Sequence, residues 1–228
     1  MDTILTASII GGVFGITTAL INKGFFTPNQ GSYDQDAQVE AFVQLLGHKY
    51  GCQRLTIVGY HNGGEWYDGT SIKKFTVRHE YYNANLAEPV QLLMQGVSTG
   101  VLKDMPDYLD KHWIIFERDL TLATKEKLYK PTFFKAMQEY GTNATIVVAI
   151  KRRLFNWRKL RYEIKMVASI HLNWVDDSWT SSFIDLPEKR LRLCNDLNLL
   201  STMFDRKHIR NDVNTLVDRI ITTYYENT

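Results

Sequence analysis

Between residues 34 and 50 the apolar side chains Val39, Phe42, Val43, Leu46 and Tyr50 fall on one stripe of an amphipathic helix. Asp34 stands near its cap position and Gly51 just past its end. Two runs rich in β-branched and aromatic residues follow, 54–60 and 75–82, and read as strands. A helix is expected near 89–97 and, past the breakers Gly96, Gly100 and Pro106, a short strand at 113–117, WIIFE. Pro131 opens another helix, with Phe133, Phe134, Met137 and Tyr140 inward and Gly141 ending it. Long strands at 144–151 and 162–175 flank KRRLFNWRKLR, a basic hairpin tip. After Pro187, the residues Leu193, Leu197, Leu200 and Phe204 mark one helix, and Val213, Leu216, Val217, Ile220 and Tyr224 mark a last one. This order predicts an α+β architecture: an antiparallel sheet of about five to six strands with flanking helices, mostly on one face.

The start of the chain follows a different pattern. Residues 4–21, ILTASIIGGVFGITTALI, are uncharged and about long enough to cross a bilayer as one helix. A cleaved signal would need a basic n-region, whereas only Met1, Asp2 and Thr3 precede the run. A packed helix in a soluble bundle competes, because Thr, Ser and Gly dilute the hydrophobicity. Ala7, Gly11, Gly15 and Ala19 recur every fourth residue on one face, a spacing that lets helices approach closely in lipid or in a tight bundle. Asp2 before the run, and Lys23, His48 and Lys49 after it, orient the bulk of the chain to the cytoplasm by the positive-inside rule. The next stretch, NKGFFTPNQGSYD, has no apolar period and reads as a linker. The expected organisation is a hydrophobic, transmembrane-like helix at 1–22, a linker at 23–33 and a domain at 34–228 with C-terminal helices.

Composition narrows the partners. A chain of 228 residues with 44% hydrophobic content suffices for one ordinary core. Its net charge of +2 is too small to mark nucleic acid as a whole-chain partner, which is disfavoured. Cys52 and Cys194 sit in no C-x-x-C pair or Cys/His metal spacing and read as buried thiols. No metal and no cofactor are expected.

The segment IVGYHNGGEWYDGTSIKKFTVRHE, residues 57–80, gathers the candidate chemistry. Asn62, Gly63 and Gly64 tolerate positive φ, so a sharp turn there would expose consecutive backbone N–H groups to an anion, with Lys73 or Lys74 adding charge. The competing reading is a structural clasp in which His61 and Glu80 bond to each other or to the loop, with Asn62 and Lys74 completing it. Nothing in the spacing of His61, Glu65, Asp68 and His79 resembles the i, i+4 pair of a zinc protease, and His61 with Glu65 would need a helix that the double glycine disfavours. There is no P-loop, G-x-S-x-G elbow or Cys–His signature, so the chain is not expected to be an enzyme. A second cluster holds Lys151, Arg152, Arg153, Arg158, Lys159, Arg161 and Lys165 around Phe155 and Trp157, against the single acid Glu163. That mixture suits an anionic membrane surface, where each cation contributes about 1 kcal/mol; another polyanion or plain solvent are the alternatives.

The order of elements, together with YHNGG at 60–64 and then GTSIKKFTVRHE at 69–80, resembles the GAF-like domains of bacterial signalling proteins. Those with an HNGG loop follow it with a G-x-S-x-x-K-x-S/T-x-x-x-E run, and Gly69, Ser71, Lys74, Thr76 and Glu80 occupy that spacing. FFKAMQEYGTNATIVVAIKR and ASIHLNWVDD are similar to the helix–strand unit and final strand of such domains. The resemblance covers roughly residues 34–204 and implies a binding or interaction module, with Ser71 joining His61, Asn62, Gly63, Gly64, Lys74 and Glu80 at the ligand or clasp site. No cyclase, kinase or phosphodiesterase segment follows.

The resulting expectation is a non-enzymatic, membrane-anchored GAF-like module, cytoplasmic in its domain, that self-associates as a homo-oligomer through its small-residue helix and its domain. One alternative is a phage virion protein of tail or ejection type, or a lysis-associated protein, whose first helix packs in an oligomeric assembly with other assembly proteins. Another is a small-anion or nucleotide sensor using the HNGG loop.

Overall fold

The structure, a computed structural model, describes residues 31–65, 71–101, 105–121, 135, 137–156, 160–177, 179 and 186–205. At 31–33, 62–65, 71, 72, 101, 107, 110 and 156 it describes the backbone alone. Two compact units divide the chain, Met1–Ala37 and Gln38–Thr228, and the sheet lies in the second.

The elements are α1 (Gly31–Lys49), β1 (Arg54–Glu65), β2 (Ser71–Tyr82), β3 (Val97–Ser98), α2 (Met105–His112), β4 (Ile114–Glu117), β5 (Ala144–Asn156), β6 (Arg161–Trp174) and α3 (Pro187–Phe204). Six strands form one sheet in the order β3-β2-β1-β6-β5-β4, and every pairing is antiparallel. At its centre β1 and β6 place Arg54 opposite Asn173, Thr56 opposite His171 and Val58 opposite Ser169.

Strand periodicity assigns the two faces. Leu55 and Ile57 of β1, Ile146 and Val148 of β5, and Ile170 and Leu172 of β6 meet α1 through Val39, Val43 and Leu46, and α3 through Leu193, Leu197 and Leu200. Each such side chain contributes about 1.5–3 kcal/mol when fully buried. Close approach at this layer depends on Gly47, where a Cβ would stand 2.1 Å from the Tyr81 ring. Lys49 at the end of α1 and Tyr50 just past it both reach Asp196 of α3 at 2.5 Å, and the Trp174 indole donates to the Tyr50 carbonyl at 3.0 Å.

The opposite face is covered as well. Met105 and Leu109 of α2 pack with Ile115, Val147, Ala149 and Met137, while Val58, Phe75 and Val77 pack with Met94 and Val97. Among the described residues the two long helices, α1 and α3, share one face and the short α2 lies on the other, in keeping with the expectation of helices mostly on one face.

Several boundaries differ from the sequence expectation. The helix begins at Gly31, so it takes the last three positions assigned to the linker. β1 and β2 extend to Glu65 and from Ser71, which makes most of the glycine-rich segment ladder rather than loop. No helix forms at 89–97; the chain there makes turns, with Leu93 and Met94 N–H groups donating to the Val90 carbonyl. β5 and β6 run well past the expected ends, pairing as far as Asn156 with Arg161. The helix expected at 1–22, with Ala7, Gly11, Gly15 and Ala19, and the last helix, with Val213 to Tyr224 on its stripe, lie outside the described residues. Among the described residues no helix is long and apolar enough to cross a membrane.

Candidate ligand-binding cavity

The face opposite α1 and α3 carries an unusual floor. Alternate residues of β1 and β6 bring Arg54, Thr56, His171 and Asn173 together there, all buried. They border a cavity of about 290 Å³, walled by Val58, Phe75 and Val77 of the sheet and roofed by Val90, Leu93, Met94 and Val97, with Met137, Tyr140 and Thr142 at its side. That volume lies at the small end of ligand pockets, which combine apolar walls with a few converging polar groups.

The polar end is held in place by a network. Arg54 Nε lies 3.2 Å from Glu80 Oε1, while Arg54 Nη2 donates to the Glu88 carbonyl at 2.5 Å. Burial pushes the guanidinium below its ordinary pKa, and the Glu80 charge opposes that fall. Despite the ion-pair distance, the Arg54 Nε–H completes no hydrogen bond. His171 Nε2 lies 2.8 Å from the Ser169 hydroxyl, which lies 3.0 Å from the Tyr60 hydroxyl. Burial lowers the His171 pKa from 6.5 to about 4, so the ring is neutral near pH 7. The Thr145 hydroxyl stands 2.8 Å from the Asn173 carboxamide oxygen.

The roof is tied to the floor by its backbone. Glu80 accepts the Val90 N–H at 2.9 Å and the Gln91 N–H at 2.7 Å on one carboxylate oxygen. The Val77 N–H donates to the Met94 carbonyl at 3.0 Å, and Gln95 Nε2 donates to the Val77 carbonyl at 2.9 Å. Gly96, at φ +63°, turns the chain into β3, and its N–H donates to the Thr76 hydroxyl at 2.9 Å. At the side, Gln53 Nε2 donates to the Leu86 and Tyr140 carbonyls, fixing the chain on either side of the polar end.

This arrangement separates the residues singled out from sequence. His61 pairs across the ladder with Lys74 and lies 3.0 Å from the Thr76 hydroxyl. Glu80 sits farther along β2, opposite Thr56, and bonds to Arg54 and the roof instead. The His61–Glu80 clasp is thus replaced by two separate contacts. Asn62 pairs with Lys73 within the strands, so the expected sharp turn at Asn62, Gly63 and Gly64 is not built, although Gly63 and Gly64 fall where the register shifts. The side chains of Asn62 and Ser71 lie outside the description.

The basic cluster divides too. Lys151 is 2% exposed and stands 4.1 Å from the Trp113 ring centroid, and Arg152 pairs with Asp205 at 2.7 Å. Neither is a free surface cation. Arg153 remains exposed over the Tyr162 ring, Phe155 meets that ring edge-on, and Arg161 and Lys165 flank Glu163. Trp157, Arg158 and Lys159 lie outside the described residues. Cys52 and Cys194 are buried free thiols, as expected.

Sequence reasoning missed Arg54, Thr56, Thr142, His171 and Asn173. Their signal was strict alternation with Leu55, Ile57, Ile170 and Leu172, which marks a polar face without saying whether it is covered. Among the described residues no cluster of His, Cys, Asp or Glu is arranged to hold a metal ion.

No family model matches the sequence, and no curated protein matches it. Among solved structures, a far-red cyanobacteriochrome photoreceptor is similar with a TM-score of 0.48 and 8% identity, over 90% of this chain and 98% of that one. The GAF domain region of a Geobacter sulfurreducens PCA protein gives 0.47 and 12%, over 77% and 95%. A phycocyanobilin-bound GAF domain from a cyanobacterial phytochrome gives 0.43 and 14%, over 95% and 96%. The neighbours are GAF domains at low identity; superpositions this loose carry no argument about the function of the chain.

Proposed function

We propose that the chain is a non-enzymatic GAF-like module that binds a small molecule in the cavity between its sheet and the 88–97 segment. The observation that carries this reading is the cavity itself: about 290 Å³ with apolar walls and a buried polar end at Arg54, His171 and Asn173. Apolar walls with a few converging polar groups are the usual make-up of small-ligand sites, and this cavity has both. The spacing of His61, Ser71, Lys74 and Glu80 supports the HNGG type of the family. Anchoring by residues 4–21 and self-association through Ala7, Gly11, Gly15 and Ala19 belong to the same proposal and rest on their apolar length and small-residue spacing.

Thermal denaturation of the full chain in detergent micelles, against a panel of small metabolites and nucleotides, tests the binding role. A compound present at 100 times its dissociation constant raises stability by about 2.7 kcal/mol. A panel that moves the midpoint in wild type and in cavity-filled Val58→Phe alike would place binding elsewhere. Membrane flotation of the full chain, compared with a chain lacking residues 1–22, tests the anchor.

A further inference from the structure

The two ends of the cavity differ in kind, and the difference specifies what fits. Successive inward residues of β1 run from charged Arg54 through polar Thr56 to apolar Val58, and Asn173 and His171 on β6 keep the polarity at the same end. Beyond Val58 the surroundings are Phe75, Met94 and Val97. An occupant therefore has a polar head and an apolar body.

Charge decides the head. The Arg54 cation is matched by Glu80 at 3.2 Å, and His171 is held neutral by burial, so the lining offers no surplus positive charge. A phosphate placed here would meet an Arg54 already paired with Glu80 and a neutral His171, with no further cation in the lining to match its charge. Hydrogen-bonding capacity nevertheless remains. The Arg54 Nε–H lies 3.2 Å from Glu80 Oε1 without completing a hydrogen bond to it, and Asn173, whose carboxamide oxygen accepts from the Thr145 hydroxyl, lines the cavity beside it.

We infer that the cavity takes an uncharged aromatic amide or heterocycle of one or two rings, with a carbonyl or ring-nitrogen edge against Arg54 and Asn173 and its ring among Phe75, Val77 and Met94, and that it excludes phosphate esters. This rests on the proposed binding role and narrows it to a ligand class.

Four probes that share one ring and differ in the head test it: benzene, benzamide, benzoate and phenyl phosphate. Each is titrated into the full chain in micelles by ligand-observed NMR, and binding is read as the difference from Val58→Phe, which fills the cavity. Benzamide is expected to bind at least tenfold more tightly than benzene or phenyl phosphate. Asn173→Leu is expected to bring benzamide down to the level of benzene; if that variant does not fold, Asn173→Ser is expected to lose most of the same preference. Phenyl phosphate or benzoate binding as tightly as benzamide, or benzene doing so, overturns the ligand class while leaving the cavity a binding site. If none of the four exceeds its binding to Val58→Phe, the binding role of the cavity falls with it.

Discussion

The two faces of the sheet are cut from the same strands and do opposite things. On one, Leu55, Ile57, Ile146, Ile170 and Leu172 are fully buried under α1 and α3. On the other, one residue over in each strand, Arg54, Thr56, His171 and Asn173 are almost as buried but polar, and they border empty volume. Burial alone does not tell packing from function, since both faces have it. Buried polarity beside a cavity is what the proposed binding role rests on, because packing by itself is served at least as well by apolar side chains of similar size.

The comparison breaks most sharply at Gly47. A side chain there would meet the Tyr81 ring at 2.1 Å in a layer with no room to yield, so Gly47→Val is expected to abolish folding, read by circular dichroism and solubility. Gly59→Ala is the control: its Cβ would meet the flexible Arg78 side chain at 3.3 Å and the Thr76 carbonyl at an ordinary 3.9 Å, and it is expected to change stability by less than about 0.5 kcal/mol.

Glu80→Gln probes the polar face. It keeps the shape of the side chain but leaves Arg54 buried without its counter-charge and weakens the acceptor for the Val90 and Gln91 N–H groups. Chemical denaturation is expected to show a loss of about 4 kcal/mol. A loss below about 1 kcal/mol would mean that water reaches Arg54 freely, which removes the dry polar end.

Truncation sharpens the contrast between faces. Ile146→Ala opens a hole in a filled layer and is expected to cost about 3 kcal/mol, whereas Met137→Ala enlarges a space already there and is expected to cost about 2 kcal/mol. Urea midpoints of the two variants settle the order, and a larger loss at Met137 would contradict it.

Much of the helical face was legible in the sequence, because Val39, Val43 and Leu46, and Leu193, Leu197 and Leu200, keep helical spacing while Leu55 and Ile57 keep strand spacing. Two misreadings have physical causes. Asn62, Gly63 and Gly64 are poor strand formers by propensity, yet a ladder between β1 and β2 that pairs Asn62 with Lys73 overrides that preference. Val90, Leu93, Met94 and Val97 have the i, i+3, i+4, i+7 spacing of a helix, but the segment spends its N–H groups on Glu80 and on turns, and lays those four side chains on the cavity. The cavity itself was not legible. Alternation reports that Thr56 and His171 share a face, and a solvent-facing strand alternates in the same way; only the roof distinguishes the two.

The last expected effect is a pH dependence peculiar to the polar face. His171 carries a pKa of about 4 in the folded chain against 6.5 when unfolded, because burial disfavours its charged form. Above pH 6.5 the ring is neutral in both states and the full stability is present. As pH falls below 6.5 the unfolded chain takes up a proton that the folded chain refuses, and stability is lost until pH passes below about 4, where both are protonated. By pH 5 the loss is on the order of 2 kcal/mol. His171→Gln cannot titrate and is expected to remove this part of the slope, so denaturation at pH 7 and pH 5 should show the wild type losing about 2 kcal/mol more than the variant. Equal losses would mean that His171 takes up its proton without resistance in the folded chain, which requires water or an anion at the polar end and would erase the distinction between the two faces at that residue.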